Sequence, residues 1–290
     1  MFTLKAPAKI NWFLSVLHKR KDGYHDILSL MQGITLYDHL TFEPSDNIDV
    51  VGYSAIPREE NLVYKAAILL KERLSVRKGV TIILKKEIPV YAGLGGGSSD
   101  AASTLLGLNR LWNLGLNLEE LAELGGKLGS DIPFFLNSPF AMVKGRGEIV
   151  DRLDARSPNI ILLVKPDIKI STKWAYLEMS KLLLRQRADE LTKDENNIKL
   201  LIQALDRQDF KVIASVMKND LEVPVMKEFK IIGELKERML ELGAHAALMS
   251  GSGSAVFGVF ENSGKAGRAA EVMKPHWCKV VETIITANRE

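Results

Sequence analysis

The segment Gly93-Leu94-Gly95-Gly96-Gly97-Ser98-Ser99 constrains this chain more than any other. It follows a β-branched strand pattern, Val80 to Leu84, and opens onto helical spacing in which Ala101, Ala102, Leu105, Leu108 and Trp112 recur every three or four residues. Strand, glycines, hydroxyls and helix in this order make a cradle for an anion. Glycine removes the Cβ atoms that keep an anion from backbone N–H groups, and the first turn of a helix favours negative charge. Several common motifs do not fit. Gly126-Lys127 is followed by Leu128 and Gly264-Lys265 by Ala266, so neither is a Walker A loop. A dinucleotide fingerprint starting at Gly93 needs glycine where Ser98 stands, and a hydrolase elbow starting at Gly96 needs glycine where Asp100 stands. The HRD, DFG and HExxH signatures are absent.

At about 150 residues per domain, 290 residues predict two domains or one large one. Hydrophobic residues at 46% and charged residues at 26% exclude a disordered chain and a disulfide scaffold. The net charge of +3 is too small for a general polyanion binder, so no nucleic-acid partner is expected and any phosphate site is local. The single Cys278 allows no intrachain disulfide and no multi-cysteine metal site. Lys5 and Lys9 interrupt the N-terminus before an apolar signal core forms, and the run Ile160–Val164 is far short of the roughly 18 residues of a spanning helix. The expectation is a cytoplasmic protein without membrane association, monomeric or weakly homodimeric. His18, His39, His245 and His276 show no metal-ligand spacing.

Residues 9–16 alternate as a strand with one strongly apolar face, Ile10, Trp12, Leu14 and Val16, which points Lys9 and Asn11 the same way. A turn at Asp22-Gly23 precedes Tyr24-His25 and further strand to about Phe42. A helix follows Asn61 to Leu74, another starts at the capping box Asn117–Glu120 and breaks at Gly125-Gly126, and Gly129-Ser130-Asp131-Ile132-Pro133 reads as a short linker. A strand pair surrounds Gly145–Gly147. Turn residues at Asp154–Pro158 place a boundary between domains 1–156 and 157–290. The second half predicts helices near 172–183, 197–205 and 229–242, and strands at 160–164, 246–249, 255–260 and 279–285 with a helix before the last. The fold class is α+β, the second half a ferredoxin-like sandwich.

Three blocks, Ala6-Pro7-Ala8-Lys9-Ile10-Asn11, Pro89–Ala102 and Ser250–Ser254, resemble in order and spacing the motifs of the GHMP small-molecule kinases. Adding Asp22-Gly23-Tyr24-His25 and Gly129–Phe134 narrows the resemblance to the members acting on a cytidine diphosphate-linked methylerythritol in isoprenoid precursor synthesis. It spans residues 3 to about 260. The chain has Ala6 where the family often carries serine, and Asp100 where a relative carries asparagine. The resemblance implies a two-domain fold with a ribosomal-protein-like first domain and the site in the cleft between halves. It implies Lys9 and Asp131 as catalytic groups, with Asp131 taking or orienting the acceptor proton. It implies ATP on Pro89, Gly93, Leu94, Gly95, Gly96, Gly97, Ser98 and Ser99, with Asn61 and Lys86 on the adenine side. The substrate would meet Asn11, Tyr24, His25, Thr172, Tyr176, Gly251 and Ser252, the two tyrosines covering the faces of cytosine and His25 its edge. Mg²⁺ would accompany ATP, with no protein ligand assigned. Two alternatives remain: a GHMP kinase of mevalonate, phosphomevalonate or homoserine type, and a non-catalytic nucleotide- or RNA-binding module.

Overall fold

A computed structural model describes residues 1–53, 56–182 and 188–285, with the side chains of 188–190 outside the description. The chain opens on two long strands, β1 (Phe2–Lys19) and β2 (His25–Ser45), joined at the Asp22-Gly23 turn. β3 (Ile48–Val51), α1 (Leu62–Arg73), β4 (Gly79–Lys85), α2 (Gly96–Trp112), α3 (Leu118–Gly126), α4 (Ile132–Asn137), β5 (Phe140–Gly145) and β6 (Ile149–Arg152) complete the first half. With β8 (Lys218–Asn219) from the second half, these strands build a seven-stranded sheet ordered β3-β4-β2-β1-β8, with β5 on β2 and β6 on β5. The length of β2 explains the branching: His39–Ser45 pair with β4, whereas Ile27–Gln32 pair with β5.

The second half runs β7 (Ile160–Lys165), α5 (Thr172–Leu182), α6 (Ala188–Arg207), α7 (Phe210–Val216), β8 (Lys218–Asn219), α8 (Glu222–Glu228), α9 (Lys230–Glu241), β9 (Ala246–Met249), β10 (Val256–Phe260), α10 (Ser263–Val272) and β11 (Trp277–Glu282). Its antiparallel sheet has the order β11-β7-β10-β9, the ferredoxin-like arrangement expected of the sequence. The helix expected over 172–183 is seen to Leu182, and residue 183 lies outside the described residues.

The halves are sewn together rather than merely touching. β8 adds Lys218 and Asn219 in parallel beside Phe13 and Leu14 of β1, and Ile284 donates its N–H to the Gly33 carbonyl at 2.8 Å. Trp12 meets Phe257 edge to face with centroids 5.5 Å apart, inside a core that includes Ile10, Phe13, Leu163 and Val259. A second core lies between the first sheet and α1 and α2, and a third under α5, α9 and α10. This packing corrects the one-faced reading of β1. Both faces are covered, so Lys9, Asn11 and Ser15 are 3%, 1% and 1% exposed. The linker reading of Gly129–Pro133 also changes. Pro133 lies in the first turn of α4, where its missing N–H costs no hydrogen bond, and Asp131 becomes the residue just before that helix. The short helices α7 and α8 carry no clear sequence signal.

Candidate functional site

A cleft of about 1200 Å³ runs between the halves and is lined by residues of every block that carries the family resemblance. Lys9 stands at its centre. Bulges in β1 after Pro7 and Asn11 set its register on β2, and the Lys9 N–H bonds to the Leu94 carbonyl at 3.0 Å, tying the strand to the glycine loop. Its ammonium donates to Asn11 Oδ1 at 2.6 Å and to the Gly93 carbonyl at 2.9 Å, and lies 3.7 Å from Asp131 Oδ2. Burial lowers the Lys9 pKa, and the neighbouring Asp131 opposes that shift. Asn11 is itself held, donating to Ser29 Oγ at 2.8 Å, which in turn donates to the Phe13 carbonyl.

Asp131 occupies the N-cap position of α4 but does not cap it, because no N–H of that helix reaches its side chain, which is 31% exposed. A carboxylate so placed is free to work in the cleft. Gly95 has φ +72 and ends the loop just before α2. A Cβ there would come within 2.8 Å of the Phe135 ring and 3.0 Å of Lys9 Cγ, so glycine is what lets loop and lysine meet. Pro89, Leu94, Gly96, Gly97 and Ser98 border the same cleft. Ser99 does not; its Oγ is buried in the first turn of α2 with no hydrogen-bond partner.

The turn between β9 and β10 closes the cleft from the second half. Ser250 Oγ donates to the Gly93 carbonyl at 3.0 Å, and Ser252 Oγ lies 2.8 Å from Thr172 Oγ1, so these two expected substrate contacts touch each other. Gly251 sits against Lys9 and Asn11. Sequence reasoning missed what holds this turn. Asn219 donates to the carbonyls of Met249 and Gly251, both at 2.8 Å, and Glu222 Oε1 accepts the Met249 N–H at 2.7 Å. The same segment reaches β1, where Asp220 Oδ2 accepts the Val16 N–H at 2.9 Å. Residues 219–222 thus set the spacing between the Lys9 strand and the closing turn.

Asn61 caps α1 through its side chain and lines the cleft, as does Lys86. The Lys86 ammonium is bonded to Asp38 and, at 2.6 Å, to Asp100 Oδ2. Asp38 escapes sequence reasoning, since nothing local in sequence links it to Lys86. Burial opposes the charge of Lys86, but Asp100 and Asp38 outweigh it and raise its pKa. Two carboxylates share this one cation. Asp38 Oδ1 also accepts the N–H groups of Glu87 and Ile88, whereas Asp100 Oδ1 is buried without a partner. Burial therefore pushes the Asp100 pKa up to about 7, against the pull of Lys86.

At the far end Tyr24, His25 and Tyr176 all line the cleft. The Tyr24 ring is exposed and takes the Arg146 guanidinium over its face at 5.1 Å. His25 stacks on Tyr176 with centroids 5.5 Å apart and planes at 25°. Burial, with the charge of Asp131 behind it, raises the Tyr176 pKa, so the phenol stays protonated.

The arrangement can hold a polyphosphate on the loop, a hydroxyl beside Lys9 and Asp131, and a flat ring among the aromatics. Comparisons with known proteins show the family of the chain as a whole. Residues 61–138 match the family described as "GHMP kinases N terminal domain" and residues 201–279 the one described as "GHMP kinases C terminal". The 4-diphosphocytidyl-2-C-methyl-D-erythritol kinase of Thermodesulfovibrio yellowstonii is 48% identical over 285 residues, 98% of this chain and 99% of the relative. A crystal structure of 4-(cytidine 5'-diphospho)-2C-methyl-D-erythritol kinase superposes with a TM-score of 0.81 at 34% identity, covering 97% of this chain and 99% of that one. The homoserine kinase of Cytophaga hutchinsonii, at 18% identity, TM-score 0.74 and coverages of 98% and 94%, shares the fold alone. With both domain families matched and such similarity along nearly its whole length, the chain belongs to the 4-diphosphocytidyl-2-C-methyl-D-erythritol kinases of the GHMP kinase family.

Proposed function

We propose that the protein transfers the γ-phosphoryl group of ATP to the 2-hydroxyl of 4-diphosphocytidyl-2-C-methyl-D-erythritol, giving the 2-phosphate and ADP. The observation that carries this reading is the Lys9–Asp131 pair, 3.7 Å apart beside the glycine loop, with the Asp131 carboxylate uncommitted to its own helix. Phosphoryl transfer needs little covalent chemistry from the protein; positioning and charge placement supply the acceleration. The backbone of residues 93–98 takes the phosphates at the start of α2. Lys9 steadies charge on the transferring group, while Asp131 accepts the proton leaving the acceptor hydroxyl as the O–P bond forms and the bond to ADP breaks. Asn11 and Gly93 hold the lysine head, so it needs no reorganisation when the substrate arrives.

Tyr24 and Tyr176 flank the cytosine and His25 reads its edge; Thr172, Gly251 and Ser252 border the acceptor, Asn61 and Lys86 the adenine. The division into residues 1–156 and 157–290 places the ATP loop and both catalytic groups in the first part. Magnesium, when present with ATP, neutralises γ-phosphoryl charge. The donor set suits an ion that keeps mostly water and phosphate ligands: no three His, Cys, Asp or Glu converge on a metal position among the described residues. Among the described residues no helix is long and apolar enough to cross a membrane.

³¹P NMR of a reaction with ATP, magnesium and the cytidine substrate tests the reading. A new phosphomonoester resonance coupled to the methylerythritol skeleton at carbon 2 supports it; ATP left unconsumed, or phosphate on another hydroxyl, overturns it.

A further inference from the structure

Ser180, which neither composition nor motif singles out, touches the residue on which base recognition depends. It lies one helical turn after Tyr176 on α5, and its Oγ donates to the Tyr176 carbonyl at 2.9 Å while also hydrogen-bonding His25 Nε2. A serine hydroxyl has one proton and a carbonyl has none. Both contacts are hydrogen bonds in only one arrangement: the hydroxyl proton goes to the carbonyl, and Nε2–H of His25 donates to Ser180 Oγ. The other ring nitrogen then follows, because a neutral imidazole carries a single proton. Burial, with Lys19 and His18 adding to it, lowers the His25 pKa and keeps the ring neutral near pH 7. Nδ1 is left as a pure acceptor, with no partner among the described residues, on a ring that lines the cleft.

We infer that Ser180 is a specificity-determining positioning residue: by accepting from Nε2–H it locks His25 in the tautomer whose Nδ1 accepts the exocyclic amino group of cytosine. Uracil presents a carbonyl at that position, so the lone pair of Nδ1 faces another lone pair and the base is rejected. The His25–Tyr176 stack holds the ring plane while Ser180 holds its rotation, and both constraints come from α5. Specificity for the pyrimidine is thus set from the second half of the chain, although His25 belongs to the first.

This inference rests on the cytidine reading of the cleft, and the test separates the two. Long-range ¹H–¹⁵N spectra of the labelled protein, with His25 assigned by His25→Gln, report the tautomer without any substrate. The expected result is a protonated Nε2 and a bare Nδ1, passing to a mixture of tautomers in Ser180→Ala and restored in Ser180→Thr, which keeps the hydroxyl. Ser180→Ala should raise KM for the cytidine substrate by about two- to thirteen-fold, the contribution of one neutral hydrogen bond, and narrow the preference over the uridine analogue. KM for ATP and kcat should hold, and Ser180→Thr should recover the preference; a serine that merely stabilised α5 would shift Tm without moving either. A protonated Nδ1 in the wild type overturns the inference, as does an unchanged cytidine-to-uridine ratio in Ser180→Ala. Should neither substrate be phosphorylated, the kinase reading fails, and the relative affinities of cytidine and uridine diphosphates measured by calorimetry decide the role of Ser180 instead.

Discussion

Gly93→Ala probes the junction on which the whole site depends. Gly93 has φ +72, and its carbonyl accepts from both Lys9 Nζ and Ser250 Oγ, so one peptide joins the glycine loop, the catalytic lysine and the closing turn. A Cβ at this position would stand 1.9 Å from the Ser250 carbonyl oxygen and 3.0 Å from the Gly253 nitrogen. Both are backbone atoms, so no rotamer relieves the collision. Restoring ordinary contact distance separates loop and turn by roughly 1.5 Å, and a misplacement of about 1 Å in a catalytic site costs on the order of 10² in rate. The left-handed backbone adds about 1–2 kcal/mol of strain for alanine. A coupled ADP-release assay should show kcat reduced about a hundredfold or more in a variant that retains its far-UV circular dichroism. Gly267→Ala, on α10 with open space around its Cβ, serves as the folded control and keeps wild-type kinetics. A folded Gly93→Ala enzyme within about threefold of wild-type kcat would refute the claim that this contact sets the geometry.

Asp131→Asn keeps size and removes basicity, and should lower kcat by about 10² to 10⁴ with little change in Tm; near-normal turnover would leave Asp131 a residue of the turn alone. Asp100→Asn should flatten the pH dependence of stability. The folded protein keeps a proton on Asp100 up to about pH 7 that the unfolded chain releases near 3.8, so wild-type stability falls as pH rises through that window. Tm measured across it should decline more steeply in the wild type than in the variant, and parallel curves would contradict the burial of Asp100 as the cause of its raised pKa. Tyr176→Ala should weaken the cytidine substrate by about 5- to 150-fold, the range of one aromatic stacking face, without altering KM for ATP; equal loss of both ligands would misplace the pyrimidine pocket.

What is legible in the sequence is what local pattern encodes. The glycine loop announces itself because its order of residue types has one physical use, and the strands of the second half because β7, β9 and β10 are short apolar runs bounded by turns. The register that brings Lys9 to Gly93 depends on bulges in β1, which alternation does not reveal. Pro133 reads as a break because proline stops a helix that is already running, yet it is welcome in a first turn, and that difference moves Asp131 from a linker to a helix start. Asp38, Asn219 and Ser180 are invisible in the sequence for a common reason: each acts through one partner far away in the chain, Lys86, Gly251 and His25 respectively. The even alternation of 9–16 suggests one solvated face, whereas the glycine loop together with Gly251 and Asp220 of the second half covers it.

The choice of acceptor defines this enzyme, and initial rates with competing alcohols test it most directly. Purified protein with ATP and magnesium is offered 4-diphosphocytidyl-2-C-methyl-D-erythritol, mevalonate, phosphomevalonate and homoserine in parallel, with ADP read by a coupled assay. Saturable ADP formation is expected with the cytidine-linked alcohol and background rates with the other three. Turnover of mevalonate or homoserine, with none of the cytidine-linked alcohol, would contradict the assignment.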